Sequence, residues 1–539
     1  MTAASKARRS GAAPASRRQP DAQPQGNLYQ TLRAGFPADL DAWAIECAES
    51  LDGRHFTWRD LDRASGRLAN WLQSLALPPG ARVAVQVEKS VESMLLYLAV
   101  LRSGLVHVPL NPAYRESEMA HFLADAEPAL LVMDPAHAGW LLPMARQLGV
   151  AHCHTLGADR TGSVLEAAAG FADDQQPVPR QSQDLAAILY TSGTTGRSKG
   201  AMLSHGHLRA NAQTLQQLWG WRGDDVLLHV LPTFHVHGLF VAFQGALLAG
   251  ARQIWFNRFE PDAAVGRLKD ATVFMGVPTH YSRLLACGAL DRAACGSMRL
   301  FISGSAPLLP QTFQAFAERT GHTILERYGM SETLMLCSNP WVGEGAGRVA
   351  GSVGFPLPGL DLRVRSGLGL CLPGEVGSIE VKGPSVFSGY WRLPGKTAEE
   401  FTADGYFITG DVGYRDEHGR VFLVGRAKDL IISGGMNLYP AEIEQEINAL
   451  PGVAESAVVA MPDPDFGEVA VAAVVPQAGA RLTEQRLIQG LKPRLARFKH
   501  PKRVLITHEL PRNSMGKVQK ALLREQLAAL WAPVSAPGR

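Results

Sequence analysis

The chain lacks most of what would set it apart from ordinary globular enzymes. Its longest apolar run, residues 238–251, is interrupted by Gln244 and is too short to cross a bilayer as a helix, which predicts no membrane span. Charge of one sign is also missing. Against 53 Lys and Arg stand 50 Asp and Glu, a formal net charge of +3 over 539 residues, so no basic surface calls for nucleic acid. Cysteine is sparse. The six thiols, Cys47, Cys153, Cys287, Cys295, Cys337 and Cys371, are scattered with no C-x-x-C pair, which excludes a zinc ribbon and a disulfide framework and suits a reduced, cytoplasmic protein. No acidic residue precedes Asp21 in a leader rich in Ala, Ser, Arg, Pro and Gln, and that leader has no apolar segment of the secretory kind. Residues 1–26 therefore read as a disordered tail, with a mitochondrial transit peptide as the alternative.

What is present exceeds one hydrophobic core, so at least two domains are expected. From residue 27 onward an amphipathic helix (61–75) and a second helix (91–101) alternate with short apolar strands (82–86, 105–110, 129–133), an α/β pattern. Residues 351–424 turn β-rich and Gly-rich. After the cations and carboxylate of Gly425-Arg426-Ala427-Lys428-Asp429, residues 430–530 read as a compact α+β unit with helices over 441–449 and 484–495 and strands over 453–460, 469–475 and 503–507. The expected architecture is a large N-terminal domain (27–427) of α/β subdomains with a β-rich subdomain, a boundary at 428–429, a small C-terminal domain (430–530) and a tail at 531–539.

Chemistry concentrates in Leu189-Tyr190-Thr191-Ser192-Gly193-Thr194-Thr195-Gly196-Arg197-Ser198-Lys199-Gly200, an apolar strand followed by glycines, hydroxyls and cations. Glycines let backbone N–H groups approach an anion, hydroxyls donate to phosphate oxygens, and Arg197 and Lys199 bring charge. Lys199 is followed by glycine rather than Ser or Thr, so this is not a Walker A loop. Downstream lie Pro232-Thr233-Phe234-His235-Val236-His237-Gly238, whose histidines have no third metal ligand at a helpful spacing and read equally as satisfied core residues. Arg283, on a helix beginning near His280, reads on helical spacing alone as a surface arginine. Asp411 ends a strand, where an ordinary turn aspartate is the alternative. Lys517, after a glycine, otherwise reads as a solvated charge.

Taken together, the glycine loop, Phe301-Ile302-Ser303-Gly304-Ser305-Ala306-Pro307-Leu308, Glu326-Arg327-Tyr328-Gly329-Met330-Ser331-Glu332-Thr333, Asp411 and the Lys517 loop occur in the order of the adenylate-forming enzymes, which this chain resembles over about residues 27–530. The family usually has Thr at Ser331, and Ser keeps the hydroxyl. The resemblance implies ATP, Mg2+ and CoA as partners. ATP would be bound by Thr191, Ser192, Gly193, Thr194, Thr195, Gly196, Lys199, Ser303, Gly304, Ser305, Ala306, Glu326, Arg327, Tyr328, Gly329, Ser331, Asp411 and Arg426, with Thr191 and Glu332 at the metal. It also implies His235 and Lys517 beside the reacting carboxylate, a hinge at Lys428 and Asp429, and Ser433, Gly434 and Gly435 against CoA.

Met275-Gly276-Val277-Pro278-Thr279 with Arg283, and the blocks at 301–308 and 325–330, look like malonyl-CoA synthetases. This implies malonate or methylmalonate as substrate, with Arg283, His237 and Ser305 around it. A ligase for a short or medium monocarboxylate, or an enzyme loading a separate carrier protein, are the alternatives; no carrier segment follows Lys517. A lysine acetyltransferase and deacetylase acting on Lys517 are expected partners, because acetylation would remove its charge.

Overall fold

The computed structural model describes residues 26–48, 53–191, 198–342, 347–513 and 516–528. Ser192, Gly193, Thr194, Thr195 and Gly196 of the glycine loop, and the leader before residue 26, lie outside the described residues.

The alternation of apolar strands and helices in the first part builds a sheet ordered His152–Thr155, Leu130–Met133, Arg82–Gln86, Val106–Pro109, Leu185–Thr191 and Lys199–Ser204. The first five strands run parallel, and the last returns antiparallel to Leu185–Thr191, pairing Thr191 with Lys199. The glycine loop joins two antiparallel strands, and helix His205–Leu218 starts only beyond them, capped by Ser204 Oγ accepting from the His207 N–H at 3.1 Å. Helix Val91–Arg102 is buried at every residue, as an all-round apolar helix must be.

A second path of 14 strands runs from Gly369–Leu370 through Leu334–Ser338, Leu325–Met330, Leu300–Ser303, Val273–Gly276 and Val226–His229 to His55–Thr57. Its middle is parallel. The β-rich stretch forms its antiparallel continuation, with Asp411 registered opposite Arg426. The hairpin Leu325–Met330/Leu334–Ser338 is not apparent from pattern, because Gly329 and the polar Ser331-Glu332-Thr333 interrupt the apolar alternation.

Beyond the short helical turn Ala427–Asp429 the chain enters a separate sheet of 5 strands. Residues alternate sides along a strand, and here that gives two cores. Val458, Ala472 and Val474 pack with Ile443, Ile447, Leu487 and Leu491 of two helices, while Val459, Val471 and Ala473 pack with Leu523 and Leu527 of helix Lys520–Ala528. The helix expected over 484–495 ends at Leu491. Lys492 still has helical backbone angles as the cap, and Pro493 next to it has no backbone N–H with which to carry the helix on.

Candidate active site

Four parallel strands, Val226–His229, Val273–Gly276, Leu300–Ser303 and Leu325–Met330, end side by side, and the carboxyl ends of parallel strands are where such sheets place ligands. Past the first, Gly238 lies against Pro232 so closely that a Cβ would stand 2.0 Å from the proline carbonyl oxygen. The chain then makes a π-helical turn, His237–Phe243, a rare geometry common at functional sites. It buries His237 and leaves His235 half-buried. Past the third strand, Ser305 sits at φ +71°, a strained setting for a residue with a Cβ, next to half-buried Ala306. Gly304 faces Arg327, and a Cβ there would meet the guanidinium carbon at 2.5 Å.

These strand ends enclose buried polar atoms with no partner among the described residues: Arg327 Nε and Nη2, His237 Nε2, His280 Nδ1 and Ser303 Oγ. A buried guanidinium left in that condition is costly. The neighbouring acid does not relieve it. Glu326 accepts from the Leu308 N–H at 3.1 Å, and burial pushes its carboxyl up to about 8, so it pins the 303–308 turn as a neutral acid. Burial pulls Arg327 down to about 9, which leaves it cationic at neutral pH. The histidines stay neutral: burial, then Lys517 and Arg327, lower His235 to about 4. Burial, then Arg283 and Lys89, lower His280 to about 3, and burial with Arg327 holds His237 well below its usual value. His237 Nδ1 lies 3.5 Å from Ser305 Oγ. The recess is cationic and rich in hydrogen-bonding groups, which suits a small anion.

Arg283 lies on helix Pro278–Ala286, whose buried face carries Tyr281 and Leu284; Arg283 itself is exposed and close enough to His280 to depress its protonation. The buried cation at the recess is Arg327, which the sequence reading grouped with the nucleotide. Spacing hid this role, because along a strand Arg327 is simply one more residue of a motif. His280 was overlooked for want of any signal beyond a histidine at a helix start.

On the other side of strand Leu325–Met330, Tyr328 donates its hydroxyl to Asp411 Oδ2 at 2.5 Å, and Arg426 Nε lies 2.8 Å from Asp411 Oδ1. An aromatic face, a carboxylate and a guanidinium thus come together from two sheet regions. Gly329 closes the hairpin, where a Cβ would meet the Leu334 carbonyl oxygen at 2.1 Å, with half-buried Ser331 at its tip. Glu332 is buried and accepts from Tyr390 Oη at 3.1 Å and Thr191 Oγ1 at 3.4 Å, and burial raises its carboxyl. A buried carboxylate that takes hydroxyl donors from Tyr390 and Thr191 fits a hard cation. No cluster of three His, Cys, Asp or Glu exists among the described residues, so an ion there would draw further ligands from phosphate and water.

Lys199, buried at the foot of the glycine loop, pairs with Glu400 at 2.7 Å. Lys517 arrives from the C-terminal unit. Gly516, at φ +71°, sits where a Cβ would be 2.9 Å from Thr279 Oγ1, and the Lys517 N–H donates to Asn513 Oδ1 at 3.0 Å. The lysine keeps solvent access, yet crowding and then Arg426 lower its pKa, while Asp411 opposes the fall. Its influence on His235 places it at the same cleft. Ser433, Gly434 and Gly435 lie apart from this cleft set, at a tight hairpin between Ile431–Ser433 and Met436–Leu438 whose glycines take φ +55° and +81° and are exposed. Lys428 is exposed and Asp429 half-buried in the turn linking the two units.

The AMP-binding enzyme family model matches residues 37–391, and the AMP-binding enzyme C-terminal domain matches 442–517. The chain belongs to the AMP-binding enzyme family. Among its relatives, malonate–CoA ligase of Arabidopsis thaliana is 35% identical across 93% of this chain and 89% of its own. Feruloyl-CoA synthase of an Amycolatopsis species is 36% identical across 88% and 94%. In structure, ATP-bound MatB of Rhodopseudomonas palustris superposes with a TM-score of 0.90 at 48% identity, covering 94% of this chain and 100% of that one. This AMP-binding enzyme is an ATP-dependent, adenylate-forming ligase of the acid–CoA class, and no helix among its described residues is long and apolar enough to cross a membrane.

Proposed function

We propose that the enzyme joins malonate, or its methyl homologue, to CoA through a malonyl-adenylate. One observation carries this reading: the buried Arg327 guanidinium, whose Nε and Nη2 have no partner among the described residues, beside the equally unpartnered His237 Nε2, His280 Nδ1 and Ser303 Oγ. A fatty or aromatic acid would leave that cation unpaired, whereas a second carboxylate one methylene away from the reacting one would pair with it bidentately. Arg283, exposed on the helix that carries His280, would draw the dianion inward. Similarity to malonate–CoA ligase and MatB supports the reading.

In the first half-reaction a malonate carboxylate oxygen bonds to the α-phosphorus of ATP while the bond to the bridging oxygen breaks, releasing pyrophosphate. Lys517, with its lowered pKa, would stabilise charge on the attacking carboxylate and α-phosphate. Tyr328 would face the adenine, and Asp411 with Arg426 would hold the ribose hydroxyls. Thr191 and Glu332 would hold Mg2+, which when bound neutralises charge on the triphosphate. His235, neutral near pH 7, would border the carboxylate without repelling Lys517. In the second half-reaction the CoA sulfur bonds to the carbonyl carbon and AMP departs with the carboxylate oxygen. Rotation about Lys428 and Asp429 would bring half-buried Ser433 and the exposed Gly434 and Gly435 against pantetheine. A screen of CoA-dependent AMP release over mono- and dicarboxylic acids tests the proposal. Malonate is expected to lead; equal or faster turnover of butyrate or octanoate would overturn it.

A further inference from the structure

Lys199 does not stand free at the foot of the glycine loop. Its Nζ lies 2.7 Å from Glu400 Oε1 and 4.0 Å from the centre of the Tyr390 ring, a salt bridge on one side and a cation–π contact on another. Tyr390 in turn has a single hydroxyl proton, and two carboxylates compete for it: Glu400 Oε2 at 2.6 Å and Glu332 Oε1 at 3.1 Å. Lys199, Tyr390 and Glu332 are all buried. Burial favours protonation of Glu400, but the hydrogen bonds from Lys199 and Tyr390 outweigh it and keep the carboxyl below its usual value. Lys396, 3.6 Å from Glu400 Oε1, adds a second cation on the outer side. Three separate stretches of chain meet here: the return strand of the loop, the hairpin tip with Glu332, and the segment from Tyr390 to Glu400.

We propose that Glu400 and Tyr390 are positioning residues for the pyrophosphate side of the site. Glu400 fixes Lys199 at the base of the phosphate loop, and Tyr390, shared between Glu400 and Glu332, ties that lysine to the carboxylate that would hold magnesium. Buried pairs of this kind are costly to break from one side, because the remaining charge is stranded. Removing the Glu400 charge therefore frees Lys199 to move, and with it the strand that carries Thr191. Removing only the Tyr390 hydroxyl leaves the lysine paired but unties Glu332. The two variants should fail differently: Glu400→Gln in nucleotide grip, Tyr390→Phe in metal dependence.

The inference rests on the assignment of Lys199 and Glu332 to the phosphate side, and titration calorimetry separates the two. Pyrophosphate is titrated into full-length wild type, Glu400→Gln, Glu400→Asp and Tyr390→Phe, with and without Mg2+. Wild-type binding strengthened by Mg2+ is expected; its absence would overturn the assignment and the inference together. Glu400→Gln should weaken binding about tenfold or more, with partial recovery in Glu400→Asp, and raise KM for ATP without an equal rise for malonate. Tyr390→Phe should bind pyrophosphate normally without metal and lose most of the Mg2+ enhancement. Thioester formation from preformed malonyl-adenylate, which needs no pyrophosphate grip, checks that each variant is folded. Wild-type-like calorimetry in Glu400→Gln and Tyr390→Phe, or equal losses for malonate and ATP, would overturn the inference alone.

Discussion

Arg327 carries the substrate reading, and its setting makes a sharp local prediction. Gly304 is the residue that lets the guanidinium lie where it does, since a Cβ would come within 2.5 Å of it. Gly304→Ala should displace Arg327 by a fraction of an ångström and raise KM for malonate by about tenfold or more, with a smaller effect on ATP; steady-state kinetics on both substrates checks it. Equal effects on both would place Gly304 with the adenine turn alone. Lys517 gives a second residue-level test. Lys517→Ala should lower ATP–pyrophosphate exchange by about 10²- to 10³-fold, while thioester formation from preformed malonyl-adenylate survives. Unchanged exchange would remove the lysine from adenylation. At this scale the motif residues Tyr328, Glu332 and Asp411 were legible in the sequence through the motifs it shares with the adenylate-forming enzymes, since spacing alone leaves Asp411 an ordinary turn aspartate. Arg327, His280, Tyr390 and Glu400 were not, since their roles come from neighbours far along the chain.

Among the elements, legibility followed burial pattern. Strand Arg82–Gln86 and helix Val91–Arg102 read directly, being apolar runs bounded by capping residues. The return strand Lys199–Ser204 was hidden because it opens with Lys and Gly, and a lysine is not the usual start of a buried strand. It is buried only because Glu400 and Tyr390 receive the charge. The hairpin at Gly434 and Gly435 shows the opposite case, a legible glycine pair with two explanations. As a turn it needs positive φ at both residues, and as a CoA contact it needs bare backbone. Gly435→Ala separates these, because nothing lies within 4 Å of a Cβ there. The turn cost should be about 1 kcal/mol, read from urea denaturation. Adenylation should be retained while the thioester step falls about 10- to 100-fold. A loss confined to stability would leave the glycines a turn and nothing more.

For the whole molecule, the buried histidines set the response to acid. Burial holds His107 and His280 near 3 and His205 and His235 near 4, against 6.5 in the unfolded chain. Through that window the unfolded chain binds protons that the folded chain refuses, so stability rises with pH and is lost as pH falls below about 6.5. Each fully buried histidine contributes up to about 1.4 kcal/mol per pH unit. Glu326 acts with the opposite sign, since its folded value near 8 lies above 4.5 and its contribution is lost as pH rises through 8. Urea denaturation between pH 5 and 9 should therefore show a maximum near neutrality with the steeper decline on the acid side; a flat profile from pH 7 to 5 would contradict this. The same scale holds the architecture itself. One chain supplies the recess at the strand ends, the Tyr328–Asp411–Arg426 cluster on the other side of the last strand, and a lysine from a second unit. The central claim is that this assembly selects a dicarboxylate through Arg327. The most direct measurement is kcat/KM for malonate and for butyrate in wild type and Arg327→Leu. The account predicts a wild-type preference for malonate that collapses by about 10²- to 10³-fold in the variant, with ATP affinity largely kept. A wild-type preference for butyrate, or a malonate preference untouched by the substitution, would contradict it.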